Sequence, residues 1–170
     1  MARRAETPGV TSREDLVDAL LSASRAVMAM AARSLAGLDA EVTLPQYRAL
    51  VVLASRGPQR MVDISNELGV NPSTGTRMCD RLARKKLIRR YRSSADRREV
   101  RLTLTPAGRQ LVEQVIGRRR EELTRLVEAM PRTWHRPVIG ALRSVADAVG
   151  EVPEHEWWLG WSGEGDSLIG

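Results

Sequence analysis

The stretch LGVNPSTGTRMCDRLARKKLIRR, residues 68–90, contains both a boundary between two helices and a concentration of positive charge. Gly69 is the residue type that most readily adopts the left-handed conformation that ends a helix. Asn71-Pro72-Ser73-Thr74 is a strong signal for the start of the next helix. The stretch therefore predicts a short helix over about residues 62–68, a turn, and a second helix over about residues 73–86.

The second predicted helix has two faces of different chemistry. Gly75, Met78, Cys79 and Leu82 recur every three or four residues and predict the inward face. The outward face carries small hydroxyls and then arginines: Ser73, Thr74, Thr76, Arg77, Arg81 and Arg84. Since a helix fits the major groove of DNA and arginine can bond both acceptors of guanine, this face predicts DNA recognition.

We expect the outward-facing side chains to make different DNA contacts according to their position along the helix. We expect Arg77, one turn in, to contact a base, and the hydroxyls before it to contact bases or phosphates. Arg81 and Arg84 lie further along and are expected to contact phosphates, which position a protein without specifying sequence.

Two segments of alternating apolar and basic residues follow, at residues 87–93 and 100–105, and predict a two-stranded hairpin, or wing. The hairpin tip carries Asp96, Arg97 and Arg98. Because a narrow minor groove attracts arginine, we expect one of the two arginines to insert there while Asp96 pairs with the other. A solvated loop is the alternative.

The charge distribution supports a polyanionic partner. Eleven basic and three acidic residues lie between Arg77 and Arg101, a net charge of +8, whereas the whole chain of 170 residues carries +6. The remainder of the chain is therefore slightly acidic. A solvated surface explains many charged runs, but charge confined to one segment favours nucleic acid.

The flanking segments predict a mainly α-helical protein with dimerisation helices. Long apolar stripes at helical spacing run over residues 11–40 and 107–150, on either side of a winged helix-turn-helix lobe at residues 44–106. One small lobe cannot cover stripes of that length, so we expect a homodimer. Residues 1–10 are expected to be a flexible arm. The tail at residues 151–170, with Trp157, Trp158 and Trp161, is expected to dock on the dimerisation helices, with disorder as the alternative.

Other function classes lack support in the sequence. The longest apolar run is seven residues, Ala26–Ala32, far below the roughly 18–20 that span a bilayer, and no secretory signal begins the chain, so we expect a cytoplasmic protein without membrane contact. One cysteine and two histidines provide neither a disulfide nor a usual zinc spacing. No phosphate loop or nucleophile elbow occurs, so we expect no enzymatic activity and no cofactor.

Residues 68–90, followed by SSADRREVRLTLTPAGR at 93–109, resemble the MarR family of bacterial regulators. The shared features are a PST-type recognition helix, a DRR wing and an LTPAG exit from the wing. The resemblance implies a triangular homodimer that represses transcription from a pseudo-palindromic operator. It places DNA contacts on Ser73, Thr74, Thr76 and Arg77, and on Arg97 and Arg98 of the wing. Gly75 inside the recognition helix and Lys86 after it depart from the pattern and put the rigidity of that helix in question.

The resemblance also implies regulation. Many relatives release DNA when a small, often aromatic, acid binds near the hinge between the dimer helices and the lobe. Here the polar candidates are Arg25, Tyr47 and Arg48, each with packing or a solvated charge as the alternative. Cys79 is expected to be a core residue, with a redox role open if nearby arginines lower its pKa. A winged-helix module that binds proteins instead of DNA is the alternative function.

Overall fold

The structure is a computed structural model that describes residues 12–36, 42–92 and 99–158. It is mainly helical, as predicted, and its elements follow the predicted order. In chain order they are α1 (Arg13–Leu35), α2 (Leu44–Arg56), β1 (Gln59–Arg60), α3 (Met61–Glu67), α4 (Pro72–Arg84), β2 (Ile88–Arg92), β3 (Val100–Leu104), α5 (Pro106–Glu128) and α6 (His135–Ala148), with single 3-10 turns at Arg132–Trp134 and Glu154–Glu156.

Several predicted features lie outside the described residues. They are the arm at residues 1–10, the wing tip with Asp96, Arg97 and Arg98, and the tail beyond Trp158, including Trp161.

Local capping explains where the first helices begin. The Ser12 hydroxyl accepts from the Asp15 amide at 3.0 Å, and the Asp15 carboxylate accepts from the Ser12 amide at 2.9 Å. This reciprocal box satisfies two backbone donors that a helix start leaves free. The same bonds to Ser12 lower the pKa of the Asp15 carboxyl. At the start of α2, the Thr43 amide donates to the Gln46 side chain at 3.1 Å.

The sheet is antiparallel, with strand order β1-β3-β2. Strands β2 and β3 pair from Ile88 opposite Leu104 to Arg92 opposite Val100, which confirms the predicted hairpin. The two-residue strand β1 adds a third member through Gln59 opposite Leu102, and this strand was not predicted. Two residues are too few to show an alternating pattern, so β1 depends on its distant pairing.

The hydrophobic core lies within the winged lobe. Its largest fully buried side chains come from α2, α3, α4, β3 and the first half of α5: Leu50, Leu53, Ile64, Leu82, Leu102 and Val115. In contrast, α6 has no buried residue. The apolar side chains of α1, of the second half of α5 and of α6 remain largely exposed, among them Leu16, Leu126 and Leu142.

Candidate nucleic-acid interface

Helices α3 and α4 cross so closely that the crossing requires glycine at position 75. A Cβ atom at Gly75 would lie 2.1 Å from the Ser65 hydroxyl oxygen and 3.1 Å from the Ser65 Cβ. Ser65 is fully buried, and its hydroxyl donates to the Met61 carbonyl at 3.0 Å. The expectation that Gly75 loosens the recognition helix therefore needs correction, because this glycine permits the contact that holds α4 against α3.

The inward face of α4 is the one predicted. Gly75, Met78, Cys79 and Leu82 are all buried. Their packing against the core fixes the rotation of the helix about its axis. Ser73, Thr76, Arg77, Arg81 and Arg84 are consequently exposed, and Thr74 is half-buried.

The first turn of α4 is held by Asn71. Its side-chain oxygen accepts from the Thr74 amide at 2.9 Å and from the Ser73 hydroxyl at 2.8 Å. The Thr76 hydroxyl donates to the Pro72 carbonyl at 2.8 Å. Since the Ser73 and Thr76 hydroxyls donate within the protein, their free lone pairs suit a donor such as a base amino group.

Two arginine contacts shape the polar side of α4. The Arg77 Nε donates to the Ser73 carbonyl at 3.3 Å, which draws its side chain towards the start of α4. Asp80, the only acidic residue within the α4 sequence, pairs with Arg90 of β2 at 2.5 Å. Sequence reasoning counted Arg90 only as part of the basic cluster, whereas it neutralises the acid on the recognition helix.

A second ionic cluster joins the start of β3, near the tip of the wing, to the start of α3. Arg60 binds Asp63 through two nitrogens at 2.7 and 2.8 Å and lies 3.6 Å from Glu99, which also pairs with Arg101 at 3.1 Å. The hydrogen bonds from Arg60 lower the pKa of the Asp63 carboxyl. The carboxylate also accepts from the Arg60 amide at 3.3 Å and so satisfies a backbone donor at the start of α3.

The exit of the wing is built from three neighbouring contacts. Lys86 has a φ of 57°, the left-handed conformation usual for glycine after a helix. Its carbonyl accepts from the Thr105 hydroxyl at 2.6 Å, and that hydroxyl oxygen accepts from the Gly108 amide at 3.1 Å. A Cβ at Gly108 would lie 2.0 Å from the Leu87 carbonyl oxygen. The LTPAG motif thus anchors α5 against the chain leaving α4.

Cys79 lies on the buried side of α4 and is not poised for redox chemistry. Burial raises the pKa of its thiol to about 11, and the nearby Arg90 only partly opposes this effect. A reactive cysteine needs a lowered thiol pKa. The thiol pKa of Cys79 is raised, which argues against the redox alternative.

The three candidate effector residues lie in different surroundings. Arg25 is exposed and donates to the Ser22 hydroxyl at 3.1 Å. Arg48 forms an ion pair with Glu151. Tyr47 is buried, and burial raises its pKa to about 12 although the neighbouring Arg119 opposes this shift. A surface cavity of about 460 Å³ lies along α5, between Ile116 and Glu128, with Arg119, Arg120 and Glu154 among its polar lining residues.

The tail tryptophans dock, but on the lobe. Trp157 packs against the lobe core, and the Trp158 ring lies against Gly57 after α2. The predicted docking on the dimerisation helices is therefore wrong for Trp158, whereas the core against which Trp157 packs includes Leu111 and Val115 of α5. The neighbouring Glu154 also contacts α5, through Arg120.

These features define the chain as a winged helix-turn-helix protein: α3 and α4 form the helix pair, and β2 and β3 form the wing. Within the part of the chain that the structure describes, no helix is both long and apolar enough to cross a membrane.

Comparison with known proteins gives the same class. The model of the MarR family matches residues 42–100. A crystal structure of RV1404 from Mycobacterium tuberculosis is 39% identical, covers 85% of this chain and 99% of its own, and superposes with a TM-score of 0.77. A MarR family protein from Bacillus stearothermophilus is 26% identical, with a TM-score of 0.69 over 81% of this chain and 97% of its own. The chain belongs to the MarR family, whose members are transcriptional regulators and not enzymes.

A curated relative has a more specific name. The transcriptional repressor MdtR of Bacillus subtilis is 36% identical over 84 residues, which are 49% of this chain and 54% of MdtR. The chain spans between 54% and 60% of the length of the first curated relatives that it matches.

Proposed function

We propose that this protein is a sequence-specific DNA-binding regulator of transcription. The observation that carries the proposal is the outward face of α4, which exposes Arg77, Arg81 and Arg84 while its opposite face is fixed in the core. A rigid, cationic helix backed by a wing is suited to the major groove. The pairing of Asp80 with Arg90 removes the one carboxylate of α4 that would repel phosphates.

Roles within this face follow from position. Arg77, near the start of α4, is assigned to a base, with Ser73, Thr74 and Thr76 beside it as adaptable contacts. Arg81 and Arg84 are assigned to phosphates. We further propose that Arg97 or Arg98 enters the minor groove while Asp96 shapes the wing tip.

The test is selection of bound sequences from random duplex DNA, followed by affinity measurements at several salt concentrations. Arg77→Ala should weaken binding to the selected site by about 5- to 150-fold and relax preference at one position. Arg84→Ala should weaken binding to all sequences and reduce the salt slope by about one. Arg143→Ala on α6, with the same change of charge, serves as the control. Wild-type protein without affinity for any duplex in dilute salt would leave the protein-binding module as the better explanation.

We propose that two copies assemble through α1, α5 and α6. These helices expose apolar side chains that the lobe leaves uncovered, including Leu20, Leu126 and Leu142, and α6 buries none of its residues within its own chain. A two-fold pair would read half-sites about 34 Å apart, as a palindromic selected sequence would show. Leu142→Glu should convert the dimer to a monomer in light scattering, whereas Arg143→Glu should not. A wild-type monomer at micromolar concentration would refute the assembly.

The cavity along α5 suits a small acidic effector. It combines apolar Ile116, Leu123 and Val127 with the guanidinium group of Arg119, while Arg120 is paired with Glu154. An aromatic acid would place its ring on the apolar side chains and its carboxylate on Arg119. Titration with salicylate should release DNA from wild-type protein and not from Arg119→Ala. Equal release from both proteins would exclude this cavity.

We also propose the direction of regulation and the cellular compartment. MdtR is named a repressor, and we propose repression here as well. Since the proposed partner is chromosomal DNA, we place the protein in the cytoplasm. A reporter gene placed behind the selected operator should be expressed more strongly in cells that lack the gene for this protein than in cells that have it. Weaker expression in the deletion strain would indicate activation.

A further inference from the structure

The segment after α6 turns back across the protein and ends beside α2. We call residues 150–158 the C-terminal strap. Its polar contacts with α2 occur at both of its ends: Arg56 donates to the Gly150 carbonyl at 3.1 Å, Arg48 pairs with Glu151, and the Trp158 amide donates to the Ser55 carbonyl at 3.1 Å.

The middle and end of the strap add a contact with α5 and two ring contacts. Glu154 pairs with Arg120 of α5 at 2.5 Å. Trp157 packs against the lobe core while its indole nitrogen donates to the Val152 carbonyl at 2.9 Å. The Trp158 ring covers Gly57, where a Cβ would lie 2.8 Å from the ring Cγ. Any side chain at position 57 would therefore displace the ring.

The strap joins two parts of the molecule with different packing. Helix α2 lies in the buried lobe, whereas α6 has no buried residue of its own. A rotation of the lobe relative to α6 would have to break the contacts of Arg48, Arg56 and Arg120 together. Exposed ion pairs are individually weak, so the strap can open without unfolding of the lobe.

We propose that the C-terminal strap is a latch that holds the DNA-binding lobe in one orientation relative to α6. A lobe so held loses less orientational freedom when both recognition helices engage DNA, so opening the latch lowers affinity. The existence of the latch does not depend on the proposed function. Only the effect of the latch on DNA affinity rests on the proposed function.

The first test measures the latch directly. In the full-length protein, hydrogen exchange of the residue-158 amide reports its bond to the Ser55 carbonyl. Trp158→Ala, Arg120→Glu and Glu154→Arg should each accelerate this exchange about tenfold or more. The double variant Arg120→Glu with Glu154→Arg restores opposite charges and should return exchange towards the wild-type rate. Arg143→Glu, a matched charge reversal on α6, should leave it unchanged. Unchanged exchange in all strap variants would overturn the proposal.

The second test measures the consequence for binding. Trp158→Ala is neutral in charge and should weaken binding to the selected operator by about three- to tenfold, while its recognition face stays intact. Unchanged or tighter binding by a variant with accelerated exchange would overturn the orienting role. If the wild-type protein bound no DNA at all, the proposed function would fail, and the exchange measurements would still decide the latch.

Discussion

Replacing Gly75 by alanine should destabilise the protein, although the same substitution in an exposed helix is stabilising. In an open helix, alanine gains about 1 kcal/mol over glycine. Here the new Cβ would lie 2.1 Å from the Ser65 hydroxyl oxygen, which is buried and bonded to the Met61 carbonyl. Overpacking of this kind costs about 1–3 kcal/mol, and rotating the hydroxyl away gives up a hydrogen bond worth about 1 kcal/mol. The net expectation, after the helix gain of about 1 kcal/mol is subtracted, is a loss of about 1–3 kcal/mol.

A double-mutant cycle separates this clash from other effects. Ser65→Ala removes the hydroxyl and leaves Cβ as the nearest side-chain atom, at 3.1 Å from the added methyl, so Gly75→Ala should be less destabilising in that background by about 1 kcal/mol. Gly140→Ala on the polar side of α6, where no atom lies within 4 Å of the added Cβ, is the control and should be stabilising. Urea unfolding is measured for all five proteins at one fixed protein concentration, because dimer dissociation adds to apparent stability. A gain in stability from Gly75→Ala equal to that from Gly140→Ala would refute the reasoning.

Four further outcomes are expected. Lys86→Gly should raise the free energy of unfolding by about 0.5–1 kcal/mol in urea titrations, because it relieves a left-handed lysine; a decrease would contradict this. Asn71→Ala should lower it by about 1 kcal/mol through loss of the cap, and should weaken operator binding in anisotropy titrations. Tyr47 has its pKa raised to about 12 from 10.0, so its contribution to stability is complete below pH 10 and is lost between pH 10 and 12; Tyr47→Phe should remove that part of the decline in melting temperature. Cys79 should resist iodoacetamide at pH 8 in the native protein and react fully in denaturant, and rapid native labelling would contradict its burial.

Local patterns were sufficient to predict most helices and one face of the site. The spacing of Gly75, Met78, Cys79 and Leu82 identified the buried side of α4, because helical periodicity is a property of neighbouring residues. The helix starts at Ser12 and Asn71 were predictable for the same reason, since each cap bonds an amide three residues away. The boundaries of α4 and of the wing strands differ from the predicted ones by one or two residues.

Features that depend on distant contacts could not be predicted. Strand β1 exists through pairing with β3 more than forty residues later, and Gln59-Arg60 alone shows no strand pattern. The requirement for glycine at position 75 depends on how closely α3 approaches, so helix propensity alone suggested a weakness there. The docking of Trp158 beside Ser55 likewise follows from the path of the chain after α6.

Helix α4 separates the residues that stabilise it from the residues proposed to read DNA. Its packing depends on Gly75, Met78, Cys79 and Leu82, whereas Arg77 and Arg81 on the opposite face are exposed. Substitutions on the outward face can therefore alter operator preference with little loss of stability, since exposed positions usually change unfolding free energy by less than about 0.5 kcal/mol. The exception is the first turn, where the Ser73 hydroxyl is bonded to the Asn71 cap. Recognition and stability are coupled at that turn alone, so substitutions of Ser73 should affect both.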